Sequence, residues 1–207
     1  NRRHMRLVMK LQKDMAKSGA MLQHISYCMS RVARTESHFH TTAIHGMDLV
    51  HFLAGSPHRK GQLMTADLSR HGAGVRNFIL NASFDKGITA HMDFCPVSGD
   101  LRESLMIVAD DITYDVDLPV WRWDGYTGRI IKRKKGELVY DEYGVGDIDD
   151  GGFVKSNGFY YQVKQFLKDV GEGVMPRDNI ATALSSMKMA DIVANNNYLA
   201  WNEDEPG

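Results

Sequence analysis

Cysteine and proline are scarce in this sequence, and neither sign of charge is in excess. Only two cysteines, Cys28 and Cys95, occur among the 207 residues, and both lie in apolar stretches. This usage favours buried thiols over a disulfide framework and predicts a reducing compartment, the cytoplasm. The 25 basic and 26 acidic residues leave a net charge of -1. Electrostatics therefore gives no reason to expect a nucleic acid or an anionic membrane as a partner.

Long hydrophobic runs are also missing. No apolar stretch approaches the ~20 residues that a membrane-spanning helix needs, and the N-terminus lacks the apolar segment of a signal peptide. The length and the 43% hydrophobic content instead predict one large domain over residues 1–207 with a full core. Because the chain begins with Asn1-Arg2-Arg3 and not with methionine, we expect it to be part of a longer polypeptide.

Hydrophobic periodicity divides the chain into helical ends and a strand-rich middle. Helices are predicted at 4–17 and 41–53, from Phe159 to Gly171, and from Pro176 onwards with Asp178 as N-cap. Strands are predicted at 22–32, 62–68, 75–82, 88–94, 103–109, 112–116, 129–134 and 137–143. The connections at 85–87, 110–111 and 135–136 are too short for a parallel return, so the strands they join must be antiparallel. Residues 144–152 and the tail 195–207 are predicted to be irregular, with Trp201 anchored on a neighbouring element.

The predicted fold class is therefore α+β, with a large, mainly antiparallel sheet and helices packed on one face. Several strands carry apolar residues in both alternating sets, as in 75–80, so the second face should also need cover. A second copy of the same sheet would provide that cover. We therefore expect a homodimer or homotetramer that associates through the sheet.

One predicted helix combines an apolar side with a polar line. In 41–53, the residues Thr41, His45, Asp48 and Phe52 follow one another at intervals of three or four and so share a face. An imidazole one turn from a carboxylate can be held in one tautomer and can transfer a proton near neutral pH. A packed core histidine is the plainer interpretation of the same pattern.

Two other interpretations stay open. His38, His40, His45 and Asp48 lie close enough in sequence for a zinc site, although no H-E-x-x-H pattern or paired cysteines accompany them. The aromatic cluster at 121–126 could stack on a sugar ring, which would suit a non-catalytic carbohydrate-binding or scaffold domain, although packing at a sheet edge is the commoner role.

Four segments, in order and spanning almost the whole chain, resemble the C-terminal domain of the Gfo/Idh/MocA family of NAD(P)-dependent oxidoreductases. They are Asn1-Arg2-Arg3, His45-Gly-Met-Asp48 with Phe52-Leu-Ala-Gly55, Gly158-Phe-Tyr160 with Phe166 and Gly173-Val-Met-Pro176, and Asp178-Asn-Ile-Ala-Thr-Ala-Leu184 with Asp191. The resemblance implies the substrate-binding and oligomerisation half of a sugar or polyol dehydrogenase. Many family members carry aspartate four residues before the histidine, where this chain has Thr41.

The resemblance also implies roles for individual residues. His45 would be the catalytic base, and substrate would contact Thr41, Asp48, Arg2, Arg3 and His40. NAD or NADP would be bound mainly by an N-terminal Rossmann domain, because no G-x-G-x-x-G follows a strand here. No cofactor-binding or metal-binding residue is predicted in this chain, and the chain alone should be inactive.

Overall fold

The structure is a computed structural model that describes residues 1–120, 126–144 and 152–202. These residues form five α-helices and nine β-strands. The helices are α1 Arg6–Ser18, α2 His40–Ala54, α3 Gly152–Ser156, α4 Phe159–Gly171 and α5 Ile180–Asn195. The strands are β1 Leu22–Ser30, β2 His58–Asp67, β3 Arg76–Phe84, β4 Thr89–Cys95, β5 Arg102–Ala109, β6 Ile112–Asp117, β7 Arg129–Lys134, β8 Glu137–Tyr143 and β9 Tyr198–Asn202.

All nine strands belong to one sheet in the order β8-β7-β6-β5-β1-β4-β3-β2-β9. The central pair β1 and β4 is parallel and every other pair is antiparallel. The three short connections join β3 to β4, β5 to β6 and β7 to β8, as predicted. At their tips Lys86, Asp111 and Lys135 adopt positive φ angles of 60°, 54° and 54°, the left-handed conformation used in tight reversals. The α+β class with a mainly antiparallel sheet is confirmed.

The core lies between one face of the sheet and the helices. In β1, Ile25, Tyr27 and Met29 are at most 1% exposed, whereas the residues between them are half-buried. Because alternate residues of a strand face opposite sides, this pattern separates a covered face from an open face. Helix α1 contacts β7, α2 contacts β1 and β4, and α5 packs on α2 and β2. Helices thus cover one face, as predicted.

The open face is more polar than the sequence argument supposed. Of the apolar residues at 76–80 in β3, only Ile79 belongs to this face, because Phe78 and Leu80 point into the core. Cross-strand ion pairs line its outer strands. Arg102 contacts Asp117 at 2.8 Å and Arg133 contacts Asp115 at 2.6 Å. The expectation that both faces of the sheet are apolar is therefore wrong for most positions. Association of two copies through this face stays a prediction.

Two local predictions are also wrong. The N-cap of α5 is Asn179, whose side chain accepts from the Thr182 amide at 3.2 Å in a capping box, whereas Asp178 turns towards the first residues of the chain. The tail is not wholly irregular, because Tyr198–Asn202 forms edge strand β9 on β2. The indole of Trp201 lies over Gly61, where a Cβ would collide with it, so the predicted anchor is confirmed.

Several predictions fall on residues 121–125, 145–151 and 203–207, which lie outside the described residues. These include most of the aromatic cluster and most of the 144–152 segment. Among the helices that the structure describes, none combines the length and the apolar character needed to traverse a lipid bilayer.

Candidate functional site

Helix α2 carries the predicted catalytic histidine and is held by the core on its inner side. Its buried positions include Ala43, Met47, Val50 and Leu53, which recur at intervals of three and four. The helix ends at Gly55, which adopts φ 71° and donates its amide to the His51 carbonyl at 3.0 Å. The helix therefore presents its polar residues away from the sheet.

An open cavity of about 290 Å³ lies beside α2 at the start of the chain. His45 and Asp48 line it from α2, and Arg3 lines it from the N-terminal turn. The remaining lining residues are Asn1, Ile44, Gln162, Asp178, Asn179, Thr182, Ala183 and Ser186. Three of the six predicted site residues thus meet in one cavity, together with polar groups from α5 and from the turn before it.

Arg3 is held by carboxylates on two sides. Its Nε donates to Asp48 at 2.8 Å, its Nη2 also donates to Asp48, and the same nitrogen reaches the Thr182 carbonyl at 3.2 Å. Its Nη1 lies 3.5 Å from Asp178. Asp48 also accepts from the Ser186 hydroxyl at 3.2 Å. Arg3 and Asp48 together form a neutral, hydrogen-bonded wall of the cavity.

Asp178 is also bound by His4 of the N-terminal turn. Its carboxylate contacts the imidazole of His4, and this hydrogen bond, aided by the charges of His4 and Arg3, lowers the pKa of Asp178. Asn179, the next residue, occupies the N-cap position of α5. Asp178 therefore links the loop before α5 to the start of the chain.

Arg2 points in the opposite direction from Arg3, into the core. It is 2% exposed and binds both oxygens of Glu103 on β5, at 2.9 Å and 2.8 Å. Arg31 binds the same carboxylate, so one acid serves two buried guanidinium groups. Burial tends to raise the pKa of Glu103, but the two arginines outweigh it and the pKa is lowered. Arg2 therefore has no free surface for the predicted contact with substrate.

His45 is exposed at the cavity, and within the described residues it makes no hydrogen bond. Its pKa is lowered to about 4, first by desolvation and then by the charge of Arg2, with Glu103 and Asp48 acting in the opposite direction. The imidazole is consequently neutral at physiological pH. A neutral imidazole can accept a hydrogen bond or a proton from a hydroxyl group.

The structure does not bring the other predicted residues to this cavity. Thr41 is exposed one turn earlier on α2, and its hydroxyl donates to the His38 carbonyl at 2.9 Å. His40 lines a separate small cavity with Phe39, Arg76 and others. Phe52, the last member of the predicted polar line, lies under the Arg3 guanidinium at 5.5 Å from the ring centre.

Sequence reasoning missed the contribution of the last helix. The N-cap residue Asn179 and the α5 residues Thr182 and Ser186 follow one another at intervals of three and four, so they share the face that lines the cavity. In the sequence, small polar residues at this spacing already indicate a polar helix face. Glu103 also gave a signal, because an acid at an inward position of a strand requires a buried partner.

The zinc interpretation finds no set of ligands in the part of the chain that the structure describes. No three side chains of His, Cys, Asp or Glu come together there in an arrangement that could hold a metal ion. His40 and His45 in particular line different cavities.

Solved structures share this fold over almost all of the chain. A dehydrogenase from Chromobacterium violaceum is 14% identical with a TM-score of 0.75, and the match covers 92% of this chain and 58% of that one. UDP-N-acetylglucosamine 3-dehydrogenase from Acidithiobacillus ferrooxidans is 11% identical with a TM-score of 0.70, covering 91% and 57%. An oxidoreductase from Agrobacterium radiobacter in complex with NAD+, L-tartaric acid and magnesium is 10% identical with a TM-score of 0.73, covering 94% and 61%.

This fold is shared with solved dehydrogenases and oxidoreductases, and at these identities the likeness concerns the fold alone. The fold implied by the resemblance to the Gfo/Idh/MocA C-terminal domain is confirmed. The sequence itself matches no protein-family model and no curated protein. The chain spans between 57% and 61% of the length of these three solved structures.

Proposed function

We propose that this chain is the substrate-binding and oligomerisation domain of an oxidoreductase that transfers a hydride between a sugar or polyol and NAD(P). One observation carries the proposal. His45, Asp48 and Arg3 line a single open cavity on the helical side of a fold shared with dehydrogenases. Chemistry is inferred from the residues of this site, since a fold alone does not determine a reaction.

The cavity has the groups that an alcohol substrate requires. Oxidation of an alcohol needs a base that removes the hydroxyl proton, and the neutral imidazole of His45 is placed to accept it. Gln162, whose side chain makes no hydrogen bond within the described residues, adds an amide that can hydrogen-bond a further hydroxyl. Because the guanidinium group of Arg3 already binds the carboxylates of Asp48 and Asp178, few of its N–H groups are left to bind a substrate carboxylate. These features favour an uncharged, hydroxyl-rich molecule.

NAD(P), when bound, supplies the hydride acceptor for this reaction. A volume of about 290 Å³ lies at the lower end of small-ligand sites, roughly 300–1,000 Å³, so it suits a sugar-sized molecule better than a whole dinucleotide. The sequence also lacks a Gly-rich turn to cradle a pyrophosphate. We therefore propose that a second domain holds most of the cofactor and that this chain alone is inactive.

The surface beside the cavity supports the presence of a companion domain. Helices α4 and α5 expose large apolar side chains, among them Leu167 at 63% and Ile180 at 83%. Gln162 and Asp178 line both the candidate cavity and an adjoining cavity of about 230 Å³ that contains Val163 and Phe166. Exposed apolar surface of this kind marks an interaction site. A domain seated here would cover the patch and close the cavity.

The test is a His45→Ala substitution in the full-length parent. Loss of the base should reduce turnover by about 10²–10⁴-fold on sugars or polyols while the fold stays intact. His71→Ala, which changes an exposed histidine far from the cavity, is the matched control. Undiminished turnover of the His45→Ala enzyme would remove His45 from the mechanism. Saturable NAD(P) binding to the isolated chain would contradict the division between domains.

We also propose self-association through the open sheet face, in a cytoplasmic protein with its two cysteines reduced. Both thiols are free in the structure, and Met106 is 41% exposed on β5 near the middle of the sheet. Sedimentation of the full-length parent should show an oligomer that Met106→Glu weakens and that Met9→Glu, on helix α1, leaves intact.

A further inference from the structure

A second cavity adjoins the candidate site and differs from it in character. Its volume is about 230 Å³, and Gln162 and Asp178 line both cavities. His45 lies only at the first cavity, whereas Val163 and Phe166 lie only at the second. Together the two volumes fall within the range of small-ligand sites, roughly 300–1,000 Å³. A ligand that binds beside His45 can therefore extend past Gln162 into the second cavity.

A buried carboxylate fixes the walls of the second cavity. Asp169 on α4 accepts from the Gln165 side chain at 2.6 Å and from the Arg177 amide at 3.1 Å. These bonds hold the connector between α4 and α5 against α4. The Asn179 side chain secures the same connector by donating to the Pro176 carbonyl at 2.9 Å. The cavity therefore has a fixed shape, which lowers the entropy that a ligand loses by ordering its site.

The surface that the second cavity leaves for a ligand is mainly apolar. The carboxylates of Asp169 and Asp178 are already engaged, the latter by the N-terminal turn. Val163 and Phe166, in contrast, are 57% and 50% exposed. The Arg177 guanidinium, whose Nε lies 3.8 Å from Asp169, is largely exposed and can lie over the face of an aromatic ring. An uncharged aromatic group suits this combination.

The exposed residues assigned above to a companion domain are different ones. Leu167 and Ile180 do not line the second cavity. A domain seated on them would cover both cavities from outside and leave the space beside Val163 and Phe166 for the ligand.

We propose that the second cavity is a subsite for an aromatic aglycone, so that the complete site takes an aryl glycoside with its sugar beside His45. Gln162 lies at the junction, and its side chain makes no hydrogen bond within the described residues. Its amide is placed to donate to the glycosidic oxygen. The assignment rests on the proposed function for the sugar, and the aglycone is assigned from the second cavity alone.

The experiment compares methyl and phenyl glycosides of the same set of hexoses in the full-length parent with NAD(P) present. Affinity is measured by calorimetry, and NMR of the Val163 methyl groups shows where the ligand binds. For at least one hexose, the phenyl glycoside should bind at least about 10-fold more tightly than the methyl glycoside, because its ring leaves water for an apolar cavity. It should also shift the Val163 resonances, which the methyl glycoside should leave in place.

Phe166→Ala removes the aromatic ring from the lining of the subsite. It should reduce the advantage of the phenyl glycoside by about 5- to 10-fold and leave the affinity for the methyl glycoside unchanged. Leu167→Ala is the matched control, because Leu167 is the next residue of α4 and is exposed outside the cavity. Val163→Thr, which keeps the side-chain shape and adds a hydroxyl, should lower the phenyl advantage to a smaller extent.

An advantage that Phe166→Ala removes and Leu167→Ala retains supports the subsite. Equal affinities for every hexose, no binding of any glycoside, or an advantage that survives Phe166→Ala overturns it. Equal affinities are also the result expected if a side chain of the companion domain fills the cavity.

Turnover is scored separately from binding. Oxidation of free sugars without a phenyl advantage would remove the subsite and leave the proposed function intact. A phenyl advantage without turnover of any sugar or polyol would keep the subsite and remove the dehydrogenase assignment.

Discussion

Arg2 and Arg3 are adjacent in one short turn, yet they enter regions of opposite character. Arg2 extends towards the sheet and forms a buried ion pair with Glu103. Arg3 extends outward and binds Asp48 at the edge of an open cavity. The side chains of the first pair are 2% and 0% exposed, and those of the second are 13% and 22% exposed. The same chemical pair thus occurs once in the interior and once at the surface of a candidate site.

Exposure to water decides what each pair can contribute. A buried pair has lost its hydration, so removal of one partner leaves an unpaired charge that nothing solvates. A pair that water still reaches loses much less when it is broken, and its geometry can rearrange around a ligand. The inner cluster is therefore suited to hold the scaffold, and the outer one to line a binding site.

The largest effect is expected from Glu103→Gln. The substitution leaves Arg2 and Arg31 buried without a carboxylate, so the free energy of unfolding should fall by about 3–5 kcal/mol. Urea denaturation measures it as a lower midpoint. Asp117→Asn, which breaks the exposed pair with Arg102 on the open face, should cost only about 0–1 kcal/mol. Equal losses for the two variants would contradict the distinction between buried and exposed pairs.

The second-largest effect is a pH dependence of the free energy of unfolding, which comes from a buried, uncharged histidine. His51 on α2 is 6% exposed, and its Nδ1 and Nε2 contact the Met47 carbonyl at 2.7 Å and His58 at 2.9 Å. Burial lowers the pKa of His51 to about 4, although the bond to Met47 opposes this. Between pH 6.5 and pH 4, His51 therefore binds a proton in the unfolded chain but stays neutral in the folded chain. Stability should fall across this window by at most about 3 kcal/mol.

The measurement compares denaturation midpoints of the unaltered chain and His51→Gln at pH 8 and at pH 4.5. The unaltered chain should lose more stability between the two conditions than the variant does, because the variant lacks this titrating group. A gap between the two proteins that does not change with pH would show that His51 does not contribute to the acid sensitivity.

Local patterns predicted the fold well because its elements obey local rules. The turn at 135–136 and the strands on either side of it follow from sequence spacing alone, and both strands have the predicted bounds. Strand β9 was missed because its pairing partner, β2, begins 140 residues earlier, and no local pattern carries that information. Asp178 was misassigned for the same reason, since its partners are Arg3 and His4.

The candidate site was predicted in part. The polar line on α2 placed His45 and Asp48 correctly on one side of the helix, and both line the cavity. The opposite directions of Arg2 and Arg3 could not be predicted, because the sequence does not show which of two adjacent arginines meets an inward-facing acid on β5. The polar face of α5 depends in the same way on tertiary packing.

A smaller stability effect than those of Glu103 and His51 tests the outer pair directly. Asp48→Asn removes the charge that Arg3 binds, but Arg3 keeps Asp178 and the Thr182 carbonyl as partners and remains partly solvated. The free energy of unfolding should therefore fall by only about 1 kcal/mol. In the full-length parent the freed guanidinium should improve the use of substrates that carry a carboxylate relative to uncharged ones, measured as the ratio of kcat/KM. A loss as large as that of Glu103→Gln would mean that Asp48 supports the scaffold as the inner cluster does, and an unchanged ratio would mean that Arg3 does not restrict the charge of the substrate.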